Sequence, residues 1–167
     1  MLKLEDINQL VVFWINRQRF AIRLSDIRQI IRAVEITPIP NAPEKICGII
    51  NLHGTVVPVM NMHFRVGLRG RITDINDRFI IVNASGRVVA LRVDKVAEVI
   101  YDAGDHFVNA EEICSGLDIS GIISSDDGLI LIYNLETFLT TEEIIFLDKI
   151  SEDNHSNEVG IAGSENN

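Results

Sequence analysis

The sequence has few aromatic residues, two cysteines and no long hydrophobic run, and each shortage excludes a class of protein. Aromatic residues make up 6% of a chain that is 47% hydrophobic, which favours packed β-structure over an aromatic-lined ligand cleft. Cys47 and Cys114 have apolar neighbours, so we expect free buried thiols of a reducing compartment. No stretch approaches the roughly 18 apolar residues of a membrane span, and no signal-peptide pattern opens the chain. We therefore expect a cytoplasmic protein without membrane insertion.

Positive charge is also in short supply, because the formal net charge is −9. Nucleic acid is therefore not an expected partner, since binding to phosphates needs clustered positive charge. One local exception is a run of five arginines between residues 17 and 32 with a single acid among them. Two interpretations fit this run, either ordinary solvated strand faces or a patch for an acidic protein. The arginines are Arg17, Arg19, Arg23, Arg28 and Arg32.

Recognisable patterns for catalysis or metal binding are missing. His53 and His63, even with Cys47 nearby, match no metal-ligand spacing, and the apolar run around Cys47 would raise the pKa of its thiol. Asp126 and Asp127 precede a glycine, which is typical of a hairpin tip. No glycine-rich loop leads into a helix to hold phosphate. We predict no catalytic residue, no metal and no cofactor.

What the sequence does contain is an internal repeat. Residues 20–31 (FAIRLSDIRQII) align with residues 89–100 at an offset of 69, and residues 48–62 (GIINLHGTVVPVMNM) align with residues 121–135 at an offset of 73. Each copy reads as strand, tight turn, strand, short switch segment, loop and closing hairpin. About five short strands per copy suit small closed barrels. We predict a mainly β fold of two five-stranded barrels related by the repeat, with short helical segments.

The repeat also predicts the domain organisation. We expect one domain over residues 1–150, with subdomains at about 10–70 and about 75–147. Residues 151–167 have too little apolar surface to offset their ordering entropy, which predicts a disordered acidic tail. Pro58 interrupts an apolar run, and because proline lacks an N–H for the ladder, Val56–Met60 should be an edge strand or carry a bulge. Such an edge would be a docking site.

In these segments the chain resembles the CheW family, the adaptors that couple chemoreceptors to the CheA histidine kinase in bacterial and archaeal chemotaxis. The resemblance runs from about Leu10 to Asp148 and rests on FAIRLSDIRQII, ITPIPNAPEKICGIINLHGTVVPVMNM, GRVVALRVDKVAEVI and ISGIISSDDGLILIYNLETFL. It implies SH3-like barrels with a hydrophobic core between them and no enzyme activity. It also implies two partners at membrane-bound receptor arrays: the cytoplasmic tip of a chemoreceptor and the regulatory domain of a CheA-type kinase.

The resemblance implies binding residues on two surfaces. The receptor-binding residues would be Ile27, Gln29, Gly48, Asn51, His53 and Gly54. The kinase-binding residues would be Val56, Val57, Pro58, Val59, Met60 and Arg65. The family commonly has Glu at the position of Gln29 and Arg at that of His53. We hypothesise that Gln29 and His53 keep a neutral, hydrogen-bonded version of that pair, with independent drift as the alternative.

Three other functions stay open at this point. The chain could regulate a related, non-flagellar chemosensory pathway. It could bind a small ligand between its barrels, which would need a polar-lined cavity. It could also be a CheW-like module separated from a larger protein such as CheV.

Overall fold

The computed structural model describes residues 9–69, 72–101, 106–110 and 118–164, with side chains described as far as Glu152. These residues form eleven strands and two α-helices, and the predicted mainly β fold is confirmed. The elements are β1 Leu10–Ile15, β2 Gln18–Arg23, β3 Ile27–Arg32, β4 Ile46–Leu52, β5 Thr55–Asn61, α1 Met62–Arg65, β6 Arg78–Ala84, β7 Arg87–Val93, β8 Lys95–Ile100, β9 Phe107–Asn109, β10 Ile119–Ser125, β11 Gly128–Tyr133 and α2 Thr141–Ser164. Cys114 lies outside the described residues.

The strands form two sheets, and each sheet takes strands from both repeats. One has the order β8-β1-β2-β11-β10-β9 and the other β3-β6-β7-β5-β4. The first hairpin of each repeat has therefore moved into the sheet of the other repeat, joined there by a parallel pair, β2 with β11 and β7 with β5. A division of the chain between residues 70 and 75 does not separate the two sheets.

Each sheet closes around its own buried cluster. In the six-stranded sheet, Ile100 of β8 and Phe107 of β9 come from opposite ends of the strand order yet pack on one cluster. Ile31 of β3 and Ile50 of β4 do the same in the five-stranded sheet. We call these the six-stranded and the five-stranded barrel. The extra strand is β9, whose counterpart in the other barrel is a single bridge between Thr37 and Ile49.

The repeat relates the two barrel interiors residue by residue. Each interior cluster has six buried members, three from the first hairpin of one repeat and three from the closing hairpin of the other. A third cluster, the largest, lies between the barrels and includes Phe13, Met60 and Phe138. The six-stranded barrel encloses Leu10, Val12, Ala21, Ile123, Ile130 and Ile132, and the five-stranded barrel encloses the equivalent Phe79, Ile81, Ala90, Ile50, Val57 and Val59.

Pro58 lies in an internal strand, which corrects the prediction of an edge at Val56–Met60, because β5 has β7 on one side and β4 on the other. Opposite Pro58 in β4 is Ile49, whose backbone N–H and C=O both bond to Thr37, at 2.9 and 2.8 Å, and so point away from β5. Parallel pairing with β7 begins only at Val59. Proline is tolerated here because neither neighbouring strand requires its N–H.

Helix α2 replaces part of the predicted disordered tail, since it continues to Ser164. It begins with a capping box in which Thr140 Oγ1 accepts from the Glu143 N–H at 3.2 Å and Glu143 Oε1 accepts from the Thr140 N–H at 2.9 Å. That reciprocal cap satisfies two donors that would otherwise lack partners. Leu147 is buried in the cluster between the barrels. The cap and Leu147 anchor the start of α2, and the helical backbone continues from there into the segment that composition alone predicts as disordered.

Candidate docking surfaces

The open end of the five-stranded barrel is a groove between strand β3 and the tip of the β4–β5 hairpin. We call it the mouth. Its floor is apolar and its rim is polar, and its volume is about 330 Å³. It is lined by Arg28, Gln29, Leu52, His53, Thr55, Val57, Ile81 and Val88.

The hairpin tip that forms one rim of the mouth is a two-residue turn. His53 and Gly54 both have positive φ, 52° and 87°, the conformation of a type I′ turn that suits the twist of paired strands. Asn51 Oδ1 accepts from the Gly54 N–H at 2.8 Å and closes the turn. Asn51, His53 and Gly54 are all exposed. The NLHG sequence therefore fixes the backbone position of His53 on the rim.

Strand β3 forms the other rim, and Gln29 on it lines the mouth together with His53. The structure thus brings together the two residues at which the chain departs from the family pattern. Both are described, and they share no hydrogen bond, so the hydrogen-bonded pair of the hypothesis is not formed. Ile27, from the same strand, instead packs against the cluster between the barrels.

Gly48 has a structural role and does not belong to the mouth. It has a φ of +149°, and a Cβ at this position would collide with the backbone carbonyl oxygen of Thr37. The close approach that glycine permits is made by the chain itself, where Thr37 bridges Ile49. The prediction that Gly48 contacts a receptor is therefore corrected.

The predicted kinase-side residues are mostly interior, which also corrects that prediction. Val57 and Val59 belong to the core of the five-stranded barrel and Met60 to the cluster between the barrels. Pro58 is buried as well, and only Val56 is partly exposed. The sequence pattern was misleading because an apolar strand with a proline resembles an exposed edge when its second neighbour comes from the other repeat.

Arg65 is a buried structural residue. Its Nη1 lies 3.0 and 2.9 Å from the two carboxylate oxygens of Glu143, and its guanidinium carbon stacks 3.8 Å above the ring centre of Phe138. Both members of the ion pair are buried, with side chains 5% and 3% exposed. Arg65 therefore joins the end of α1 to the start of α2 and is not available to a partner.

Each sheet has two edge strands, β8 and β9 in one and β3 and β4 in the other, and Thr37 bridges β4. Strands β3 and β8 are repeat equivalents and lie on different barrels. On β3 the exposed side carries Ile30, 41% exposed, between Arg28 and Arg32. On β8 Val99 is 38% exposed, and Tyr101 just beyond it is 67% exposed. Exposed aliphatic and aromatic residues on an open edge mark a surface suited to protein contact.

The arginine run divides between these surfaces and the interior. Arg19 is buried, donates to Ser125 Oγ at 2.6 Å and lies over the Trp14 ring. Arg23 pairs with Asp26, with Arg23 Nε 3.0 Å from Asp26 Oδ2. The other three, Arg17, Arg28 and Arg32, are exposed.

The residues that the structure describes do not form a catalytic or metal site. Burial raises the pKa of the Cys47 thiol, with the charge of Arg92 opposing this in part, so the thiolate nucleophile is disfavoured. His63 is buried with its Nε2 2.8 Å from Asp94 Oδ1, while His53 is exposed at the far end of β5. No three His, Cys, Asp or Glu side chains among the described residues group to hold a metal.

The interior of the six-stranded barrel leaves little space for a ligand. A cavity of about 20 Å³ lies beside Arg23, Ser120 and Asn134, which is room for about one water molecule. In addition, none of the described helices is long and apolar enough to cross a membrane.

Several lining residues of the mouth were not predicted from the sequence. Leu52 and Thr55 flank the turn, so a predicted hairpin could have indicated them. Ile81 and Val88 come from the second repeat. They could not be found without knowing that the β6–β7 hairpin lies in the five-stranded sheet.

The chain is similar to known proteins both in sequence and in structure. A family model described as "CheW-like domain" matches residues 9–143. The chain is 26% identical over 138 residues to the chemotaxis protein CheW of Rhizobium meliloti, covering 81% of this chain and 89% of that protein. It is 24% identical over 146 residues to the chemotaxis protein CheW of Klebsiella aerogenes, covering 86% and 88%. It also resembles the crystal structure of the scaffolding protein TtCheW from Thermoanaerobacter tengcongensis, with a TM-score of 0.73, 30% identity, and coverage of 81% of this chain and 94% of that one.

Proposed function

This chain belongs to the CheW family, and we propose that it is a non-enzymatic adaptor that couples the cytoplasmic tips of chemoreceptors to the regulatory domain of a CheA-type histidine kinase. Relatives named as chemotaxis proteins and a structural neighbour described as a scaffolding protein support this function. The observation that carries the proposal is the presence of two separate open surfaces, one on each barrel. A bridging protein must hold two partners at once.

We assign the receptor to the mouth of the five-stranded barrel. Its floor of Val57, Ile81 and Val88 can accept an apolar side chain, and the rim residues Gln29 and His53 can hydrogen-bond to polar groups beside it. That combination suits the tip of a helical hairpin, which presents apolar and polar residues close together. Receptor binding would hold the adaptor at membrane-bound arrays, in the cytoplasm.

We assign the kinase to the open edge of β8 on the six-stranded barrel. The edge offers unpaired backbone groups for strand addition, with Val99 and Tyr101 exposed beside them. This surface replaces the interior residues that the sequence pattern indicated. It lies on the other barrel from the mouth, so the two partners need not compete.

The test is calorimetric titration of the full chain with two ligands, a receptor tip fragment and the kinase regulatory domain from the same organism. His53→Glu should weaken binding of the receptor fragment about tenfold, the loss expected for one central contact, and leave kinase binding unchanged. Val99→Asp should do the reverse. Leu129→Asp is the control, because Leu129 is 53% exposed and lies on neither surface.

Two results would contradict the proposal. Wild-type binding of both ligands by both variants would remove the assigned surfaces while leaving the adaptor function in place. Failure of the wild-type chain to bind any CheA-type regulatory domain of that organism would remove the function itself. The kinase that does bind identifies the pathway, flagellar or not.

A further inference from the structure

A second groove, distinct from the mouth, lies against the outer face of the six-stranded barrel, between the β1–β2 turn and the loop that follows α1. We call it the outer groove. Its volume is about 660 Å³, about twice that of the mouth. The lining is mainly apolar and consists of Ile15, Asn16, Arg17, Gln18, Phe20, Arg65, Val66, Gly67, Leu68, Ile119, Leu131 and Tyr133.

The repeat places the equivalent groove on the five-stranded barrel, and there it is covered. Leu131 and Tyr133 correspond to Pro58 and Met60, which also point away from their barrel interior. Pro58 and Met60 are nevertheless buried, and Met60 shares a cluster with Leu147 of helix α2. In the outer groove Tyr133 is buried in the same cluster, but Leu131 is only partly buried. On the five-stranded barrel, helix α2 therefore packs beside the face that carries Met60.

An ion pair links α2 to the five-stranded barrel. Arg87 Nε and Nη2 lie 2.8 and 2.9 Å from the carboxylate oxygens of Asp148. Arg87 is the first residue of β7, directly after the β6–β7 turn, and its repeat equivalent at the start of β2 is Gln18. Beside Gln18 at the rim of the outer groove stands Arg17, which is exposed and forms no ion pair with any described residue. The outer groove thus offers a positive charge one residue away from the repeat equivalent of Arg87.

The first repeat does not supply a helix of its own to this groove. Where the second repeat continues into α2, the first ends α1 after four residues. Gly67, with φ of 83°, terminates it, and the Leu68 N–H donates to the His63 carbonyl at 2.8 Å, the glycine-based cap that ends many helices.

We infer that the outer groove is a docking site for an amphipathic α-helix of a protein partner, with aliphatic residues three positions apart and a carboxylate next to the second. Helix α2 itself shows this chemistry in Ile144, Leu147 and Asp148. In the complex, the partner's aliphatic residues lie on Leu131 and between Val66 and Leu68. The partner's carboxylate pairs with Arg17. This surface is additional to the mouth and the β8 edge, and it does not rest on the assignment of either.

The probe is a synthetic peptide of residues 140–152, which carries the chemistry of the docked part of α2. It is titrated to millimolar concentration into the ¹⁵N-labelled full chain, and amide shifts are followed by NMR. Saturable shifts are expected around Asn16, Arg17, Leu68 and Leu131. Leu68→Asp should weaken the peptide about tenfold, the effect of losing one aliphatic anchor.

A second variant and a control keep the test independent of folding defects. Arg17→Glu, at an exposed turn, should weaken the peptide about fivefold at low salt and less at high salt, as a surface ion pair does. Leu129 lies on the same strand as Leu131 but outside the groove. The Leu129→Asp variant should therefore bind the peptide as the wild type does.

Three outcomes would overturn the inference. The first is no saturable shift in the outer groove at millimolar peptide. The second is shifts at Ser85 and Arg87, which would mean that the peptide replaces the chain's own α2. The third is nuclear Overhauser contacts in the free protein between Leu131 and residues 111–117, which would mean that the chain covers the groove itself. None of these outcomes depends on receptor or kinase binding, so the adaptor function is judged separately.

Discussion

The interiors of the two barrels are equivalent, whereas the outer faces of the same strands are not. Val57 and Ile130 occupy the same place in the two interiors. At the two hairpin tips, in contrast, the five-stranded barrel has His53 and the six-stranded barrel has Asp126. The outer faces also differ, since helix α2 packs against one and no described helix packs against the other. Packing constrains the interior of a repeated fold to matching apolar volumes, while its surface can diverge.

This difference explains how one repeated fold can serve a bridging protein. Two identical surfaces would bind two copies of one partner. Surfaces that share a framework but differ in charge and cover can bind two different partners. Helix α2 contributes most to the difference, so the first prediction concerns a variant that releases this helix.

The largest effect is expected from Arg65→Met. This change leaves Glu143 buried at the start of α2 without its cation, and an uncompensated buried charge costs about 3–5 kcal/mol. The free energy of unfolding, measured with urea, should fall by that amount. Adding Glu143→Gln removes the charge and keeps an acceptor for the Thr140 N–H, so the double variant should recover more than half of the loss. If Arg65→Met lowers the free energy of unfolding by less than about 1 kcal/mol, the Arg65–Glu143 pair does not hold the helix.

The next prediction concerns two glycines that are equivalent in the repeat. In the five-stranded barrel Gly48→Ala would push a Cβ against the Thr37 backbone, in a conformation that side chains rarely adopt. In the six-stranded barrel Gly121→Ala would meet only the edge of the Phe107 ring, which can rotate. We expect losses of about 3 kcal/mol and about 1 kcal/mol in urea unfolding. Equal losses would contradict the assignment of backbone contact to one barrel and side-chain contact to the other.

Much of this fold could be predicted because its determinants are local. The alternation in each strand, the NLHG turn and the repeat are all visible in the chain, and so two β barrels were expected. The exchange of hairpins was not, because the pairing of β7 with β5 depends on tertiary contacts between distant segments. The burial of Pro58 and Met60 follows from that exchange and from the position of α2.

The candidate sites were harder to predict than the fold for the same reason. Gln29 and His53 were named from the sequence, and the structure brings them into one groove. Arg65 was misassigned because its partner, Glu143, is 78 residues away. Helix α2 extends into the segment from residue 151 whose acidic composition predicts disorder, and the capping box at Thr140 and Glu143 indicates where the helix begins.

The smallest effect is expected where the two hairpins differ in charge. Arg87→Gln gives the start of β7 the residue that Gln18 supplies at the start of β2. Arg87 holds the pKa of the Asp148 carboxyl below its usual range, so the folded state binds fewer protons than the unfolded state in that interval. The contribution to stability is therefore present above the unfolded pKa of Asp148 and is lost as pH falls through its lower folded pKa.

The measurement is urea unfolding of wild type and Arg87→Gln at a series of pH values from neutrality into the acid range. The two proteins should differ slightly at neutral pH, with the wild type more stable, and converge at acid pH once Asp148 is protonated. Added salt should reduce the neutral-pH difference, because both partners are exposed. A pH-independent difference would mean that Arg87 acts through packing of its side chain on α2. In that case the pairing of Arg87 with Asp148 would no longer support the expectation that Arg17 pairs with a carboxylate in the outer groove.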